Sequence, residues 1–421
     1  METISTTCVI VGGGPAGMMC GYLLARAGVD VTVLEKHADF LRDFRGDTVH
    51  PSTLQIMHEL GLLTDFLKLP YTPIRTAKIE IGDEHFTIGD FARLPTVCKF
   101  IALMPQWDFL DFLAKEAGKL PNFHLLMQTE AKDLIAHKDR KEGDRICGVL
   151  ATGPRSVGDS QSDQKKVNLQ IKAGLTIVAD GRYSLLRDKS GLKVEDLGAP
   201  FDVLWLRLPV KPGDPVDLVG KVRDGQLFVM IYRTDYWQCA YLIPKGGFDA
   251  LKAEGLSKFR ARLKQIAGFA AGRVDDAIKD FDQVKLLTVT VDRLVKWARP
   301  GLVCIGDAAH AMSPIGGVGI NLAIQDAVAA ANILGPVLQK GVPSLRDLKK
   351  VQKRREFPTR VIQAMQIAAQ NFFLTPTLAA MQTPKPPLIF KILNAWPWAR
   401  QFPARFIGLG VRPEHVRLRK R

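Results

Sequence analysis

Three glycines, Gly12, Gly14 and Gly17, follow an apolar run at the G-x-G-x-x-G spacing. Such a turn does phosphate chemistry without a charged side chain. The first glycine allows a tight turn, the second lets backbone approach a pyrophosphate, and the third lets a helix pack close to its strand. Pro15 and Ala16 would then open a helix whose free N–H groups and positive dipole end face the phosphates. A second β-rich run, Val29 to Leu34, ends in Glu35, 18 residues after Gly17. An acid there suits ribose hydroxyls, and Lys36 follows it. Strand, helix and terminal acid agree on a dinucleotide site.

Two later segments carry an acid beside a glycine at the end of an apolar strand. One is Leu175 to Arg187, with Asp180-Gly181; the other is Leu302 to Asn321, with Gly306-Asp307. Taken alone, each reads equally well as an ordinary strand exit. In the second, Pro314 to Gly319 is a glycine-rich loop that feeds a helix near Ile320. That loop can aim N–H groups at developing negative charge. Asn321 is either a donor into the site or a cap for the helix.

The elements that position these residues alternate between strand and helix. Residues 7–35 form a βαβ unit, residues 51–61 and 106–119 read as helices, and residues 77–89 alternate as strands. Strands at 146–152 and 167–179 flank a polar stretch taken as a solvated hairpin loop, and 201–244 holds several strand-like runs. A helix is expected at 256–268, a buried strand at 301–306 and a long apolar helix from about 319 to 335. The pattern predicts an α/β architecture, a Rossmann-like domain interrupted by a β-rich one. The first takes residues 1–70, 96–183 and 285–345, the inserted sheet 71–95 and 184–284, and a C-terminal helical segment 346–421.

Composition is that of an ordinary globular chain: 421 residues, 47% hydrophobic and 24% charged. The glycine turn begins too early for a signal peptide to precede it, and no run of about 18 apolar residues stands out. The six cysteines, Cys8, Cys20, Cys98, Cys147, Cys239 and Cys304, form no C-x-x-C pair. They are read as reduced core thiols of a cytoplasmic protein with no metal site. Charge is uneven. Residues 349–421 hold fifteen Lys or Arg and only two acids, Glu356 and Glu414, so thirteen of the net +15 charges lie there. Solvated helices account for this. An anionic surface would also suit it, because Trp396, Trp398, Phe402 and Phe406 lie among the cations. No nucleic-acid module is visible.

Taken together and in this order, the three motifs resemble the class A flavoprotein monooxygenases, the p-hydroxybenzoate hydroxylase-like aromatic hydroxylases. The resemblance covers roughly residues 5–345. It implies FAD at the first motif, a flavin-side role for Asp180, and a ribityl contact for Asp307. Arg45 and Gln106 fall where the family places FAD contacts; with FAD there, the loop of Pro314, Gly317, Gly319, Ile320 and Asn321 can point its N–H groups at the flavin ring. The implied reaction takes NAD(P)H and O2 and inserts one oxygen into an electron-rich substrate through a flavin hydroperoxide. NADH and NADPH remain open, the basic surface leaning towards the latter. A homodimer is compatible with the family.

A phenolic substrate needs a group that accepts its proton, and His50 and Tyr232 are candidates by position. Trp205, Phe228, Met230, Tyr232 and Trp237 are expected to line an apolar pocket, or else to be sheet core. No arginine clamp for a benzoate is evident in 228–242, which favours a larger lipophilic aromatic, polyketide or quinone-like substrate. Competing readings are an isoprenoid-acting flavoprotein reductase or cyclase, a flavin-dependent halogenase, and a non-catalytic FAD protein with a docking tail.

Overall fold

The computed structural model describes residues 1–41, 48–139, 143–154, 166–216, 218–380 and 382–418. Its central layer is an eight-stranded sheet. Five of its strands run parallel: Leu302–Cys304, Val167–Val178, Glu2–Val11, Val31–Leu34 and Phe123–Leu126, in that spatial order. Both faces are covered, so these strands read as unbroken apolar runs rather than alternating ones. On one face Ile10, Val33 and Ile177 pack against the helices Pro15–Arg26, Gln106–Ala117 and Gly319–Leu338. On the other, Val9, Val11 and Val178 meet Ile146, Val149, Leu186 and Trp297. The strand Gly143–Gly153 pairs antiparallel with Val167–Val178, Gly153 opposite Val167. Most of the expected loop between them lies outside the described residues.

The stretch Ile315–Leu338 contains the long apolar helix expected from about residue 319. It is long and apolar enough to cross a bilayer, yet 72% of its most apolar window is buried inside the protein. It lies between Pro15–Arg26 and Leu345–Ala369 as a core helix, mostly buried, with Asn321, Gln325 and Asp326 as buried polar residues along it.

A second sheet has seven strands, ordered Lys285–Leu287, Phe201–Pro209, Tyr236–Pro244, Gln226–Tyr232, Leu218–Arg223, Thr76–Ile81 and Glu84–Asp90. Alternation along these strands divides their side chains between two covered faces. One face carries Leu206, Phe228, Met230, Trp237 and Tyr241 beneath Phe259, Leu263 and Ile266 of the helix Leu256–Ala267. The other carries Val203, Trp205, Leu227, Val229, Ile231 and Leu242. The expected five-residue pocket wall is therefore corrected. Trp205 is on one face; Phe228, Met230 and Trp237 are fully buried on the opposite face, where Tyr232 packs edge-on to Trp237 at 5.4 Å. They share a parity along paired strands, and that parity faces the covering helix.

The C-terminal segment is helical, as expected, and wraps both sheets. Leu388–Ala395 lies along the edge strand Glu84–Asp90, with Phe390 against Phe86 at 6.0 Å. Gln401–Leu409 follows, and residues 411–418 cross back over the first domain. Glu59 accepts from the Val416 N–H at 2.9 Å, and Asn332 accepts from the Arg417 N–H at 2.9 Å.

Met230 supplies a direct check on the face assignment. Met230→Ala should destabilise the folded protein by about 2–5 kcal/mol, the cost of a buried cavity. It should leave the FAD content of the folded fraction unchanged. Denaturant unfolding followed by flavin absorbance measures both; loss of flavin at unchanged stability would contradict the assignment.

Candidate functional site

The carboxyl ends of the parallel strands all open on one edge, the usual place for a ligand in such a sheet. At the end of Glu2–Val11 the chain turns at Gly12, whose φ is +107°. A Cβ there would lie 2.4 Å from the Ala179 carbonyl oxygen, and one on Gly17 would lie 1.9 Å from the Gly12 oxygen. Nothing lies within 4 Å of where a Gly14 Cβ would be. Two glycines are thus required by the protein's own packing, whereas Gly14 borders open space. Pro15 and Ala16 begin the helix, and no side chain caps its N–H groups. Open space before an uncapped helix end fits a pyrophosphate.

Glu35, at the end of Val31–Leu34, is nearly buried. Its Oε2 accepts from the Gly13 N–H at 3.1 Å and its Oε1 from the His37 N–H at 3.0 Å, so it braces the glycine turn. Lys36 is exposed beside it. Asp180 follows Val167–Val178. Burial raises its carboxyl pKa, and its Oδ1 is buried with no hydrogen-bond partner. An orphaned acceptor at this edge fits a cofactor hydroxyl or amide. Asp307 follows Leu302–Cys304, partly exposed, with Oδ2 accepting from Arg182 Nη2 at 3.1 Å. Gln106 is the first residue of its helix, and Pro105 supplies the N-cap position. Arg45 lies outside the described residues.

The loop from Pro314 turns through Ile315–Gly317 into the long helix, whose N-terminus has no side-chain cap. Gly319 and Ile320, both partly buried, supply its first uncapped N–H groups. The loop is held from behind. Thr48 Oγ1 donates to the Gly317 oxygen at 2.9 Å. Asn321, expected as a donor into the site or a helix cap, does neither. Its Oδ1 accepts from the His50 N–H at 2.9 Å and Thr53 Oγ1 at 2.7 Å, and its Nδ2 donates to the Thr48 oxygen at 3.1 Å. It clips residues 48–53 to the loop.

His50 is fully buried. Its Nδ1 lies 2.8 Å from the Ile407 carbonyl, which can only accept, so the neutral ring carries its proton on Nδ1. Nε2 is left as a buried acceptor with no partner. Burial lowers the ring's pKa to about 4. Ile407 also packs against both the Met312–Val318–Leu322 cluster and the cluster that joins Leu103 to the Ile231 face of the second sheet. Ile315 meets the same sheet from the loop side. Tyr232 is not brought to this place; it lies on the far face.

Sequence reading missed a charged quartet behind the Gly306-Asp307 turn. Asp326 Oδ2 meets His310 Nε2 at 2.6 Å and accepts from the Gly306 N–H at 3.1 Å. Its Oδ1 accepts from Arg355 Nε at 2.9 Å, and Arg355 Nη1 reaches Glu414 Oε1 at 3.3 Å. Burial would push the Asp326 carboxyl up, but His310 and Arg355 outweigh it and hold the pKa below the usual value. His310 stood inside the quoted motif, but Asp326 and Arg355 stand on helices read only as apolar or basic, and Glu414 on the tail beyond the last helix.

A family model described as an FAD binding domain matches residues 5–365. The chain belongs to this family. It is 31% identical over 384 residues to 6-methylpretetramide 4-monooxygenase from Streptomyces rimosus, covering 90% of this chain and 87% of that protein. Among solved structures, p-nitrophenol 4-monooxygenase from Pseudomonas putida superposes with a TM-score of 0.73 at 20% identity, over 96% of this chain and 97% of the other. Anhydrotetracycline hydroxylase from Streptomyces rimosus gives 0.73 at 21%, over 98% and 77%. This FAD-binding enzyme is a monooxygenase that uses NAD(P)H and O2 on a small molecule. Bound FAD supplies its redox chemistry, accepting hydride and activating O2. Among the chain's own groups, the uncapped N–H groups would hold its phosphates, Glu35 its ribose and Asp307 its ribityl chain, and the loop N–H groups would face charge on the ring.

Two outcomes follow from this geometry. Gly12→Ala forces both a clash and a left-handed backbone on a residue with a Cβ, so FAD should bind at least about tenfold more weakly. Flavin fluorescence titration of the apoprotein measures it, and wild-type affinity would refute it. His50 gives a pH signature. A histidine whose folded pKa lies below its unfolded value near 6.5 supports folding fully above pH 6.5. That support is lost as pH falls to about 4, by on the order of 3 kcal/mol. His50→Asn keeps a donor for Ile407 without that titration, so its stability should fall less between pH 6.5 and 4. Denaturation curves across that range compare the two, and parallel losses would exclude His50 as the source.

Proposed function

We propose that the enzyme hydroxylates a fused-ring phenolic substrate of polyketide type. The observation that carries this reading is the character of the sheet face that meets Ile315 and Ile407. Trp205, Val229 and Ile231 make it apolar. Gln238, on the same parity, is buried with its Nε2 unpartnered. The nearby cations are already engaged: the Arg207 guanidinium lies over the Tyr236 ring at 4.6 Å, and Arg233 Nε donates to Gln238 Oε1 at 3.4 Å. A benzoate carboxylate would need a charge partner when desolvated. A broad apolar wall with an amide donor suits a lipophilic aromatic bearing a carbonyl or phenol oxygen. The relative named for 6-methylpretetramide supports the same class. Within this reading Trp205 lines the pocket, and His50 Nε2 accepts a substrate hydroxyl. With a pKa near 4, His50 acts as a hydrogen-bond acceptor rather than a strong base.

The domain division proposed from sequence is supported by the separate sheets, the substrate lying where the sheet at 201–244 meets the loop at 314–319. Six free cysteines, five of them buried, support a reducing, cytoplasmic setting.

The test is anaerobic reduction of the FAD-loaded enzyme by NADPH and by NADH, with tetracyclic and anthracyclic phenols set against 4-hydroxybenzoate. A fused-ring phenol should speed flavin bleaching by at least about tenfold through its differential binding, and gain one oxygen atom in air. Best stimulation and stoichiometric hydroxylation of the small benzoate would overturn the substrate class.

A further inference from the structure

The C-terminal segment leaves a ridge of large apolar side chains uncovered. Phe372, Leu388, Ile389, Trp396, Trp398 and Phe402 are each between 52% and 85% exposed. Packing ties together the elements that carry them. Phe373 meets Phe390 at 5.7 Å, joining the turn Gln370–Leu374 to the helix Leu388–Ala395. Arg400 donates from Nε to the Leu393 oxygen at 2.9 Å and from Nη2 to the Asn394 oxygen at 3.0 Å, folding the next turn against that helix. Trp398 then stacks edge-on with Phe402 at 5.8 Å.

The helix Leu388–Ala395 has two apolar sides. Phe390 and the buried Leu393 cover the sheet edge. Leu388, Ile392 and Trp396 recur every four residues on another side, with Ile389 beside them. Phe406, grouped with these aromatics from sequence, instead turns inward onto the Met312–Val318 cluster. Exposed large apolar side chains gathered on neighbouring elements mark a contact site.

Charge decides which contact. Residues 357–413 contain six cations, Arg360, Lys385, Lys391, Arg400, Arg405 and Arg412, and no acid. Lys385, Lys391 and Arg405 are exposed in the same segment. A second copy of the chain would bring the same cations against them. An anionic bilayer offers apolar depth for Leu388, Ile389 and Phe372, an interface for the two tryptophans, and negative headgroups for the cations. We propose that this ridge seats the enzyme on the surface of anionic membranes. The proposal does not depend on the substrate class.

The experiment is co-sedimentation of the FAD-loaded enzyme with vesicles of equimolar phosphatidylglycerol and phosphatidylcholine, and with phosphatidylcholine alone. Wild type should pellet with the anionic vesicles, release as salt rises, and blue-shift its tryptophan emission on binding. Leu388→Ser/Trp396→Ser/Phe402→Ser and, separately, Lys385→Glu/Lys391→Glu/Arg405→Glu should each lower the partition coefficient by at least about tenfold. Both variants alter exposed side chains, and unchanged flavin absorbance and NADPH oxidation show that they are folded. Wild type left in the supernatant overturns the proposal, as does equal binding to the neutral vesicles. A dimer in light scattering that the ridge variant dissociates also overturns it and makes the ridge a subunit interface.

Discussion

A carboxylate with no access to water holds the site together. Asp326 sits on the long core helix and is shared by His310, Arg355 and the Gly306 N–H. Removing one partner of a buried charge pair costs about 3–5 kcal/mol, because the other charge is left desolvated. Three chain segments must therefore converge on it: the turn that carries Asp307, the helix Leu345–Ala369, and the tail through Glu414. The C-terminal segment is in this sense tied to the domain of the parallel sheet. Its residues reach back across the first helices, and its Ile407 carbonyl sets the tautomer of His50.

The edge of the parallel sheet separates two kinds of requirement. Gly12 and Gly17 answer to the protein's own packing, since a Cβ at either would strike backbone. Gly14, the helix N-terminus and Asp180 answer to no such packing: they leave open space, uncapped N–H groups and an orphaned acceptor. The flavin loop is likewise built from behind. Thr48 takes up the Gly317 carbonyl and Asn321 the Thr48 carbonyl, while the N–H groups at the start of the helix are left without a side-chain cap.

Much of this was legible from local pattern. The glycine turn, Glu35 and the two acid–glycine exits are encoded within about thirty residues each, where strand period and turn chemistry act alone. The pocket wall was not. Alternation in 201–244 separates Trp205, Val229 and Ile231 from Phe228, Met230 and Trp237, but both sets are apolar. Only the placement of Leu256–Ala267 over one face decides which set turns towards the flavin loop. Asn321 was visible as a functional position, and its true partners, Thr48 and His50, stand some 270 positions away in sequence.

The amino-acid sequence by itself determined the α/β layering, the dinucleotide edge and the family, because each rests on short-range period and spacing. Tertiary structure alone decided that Asp326, His310, Arg355 and Glu414 form one buried unit, that the apolar sheet has a helix-covered face and a flavin-loop face, and that the tryptophans near the C-terminus stay outside. The reason is physical: burial and charge pairing depend on which distant surfaces meet, and no local pattern carries that information.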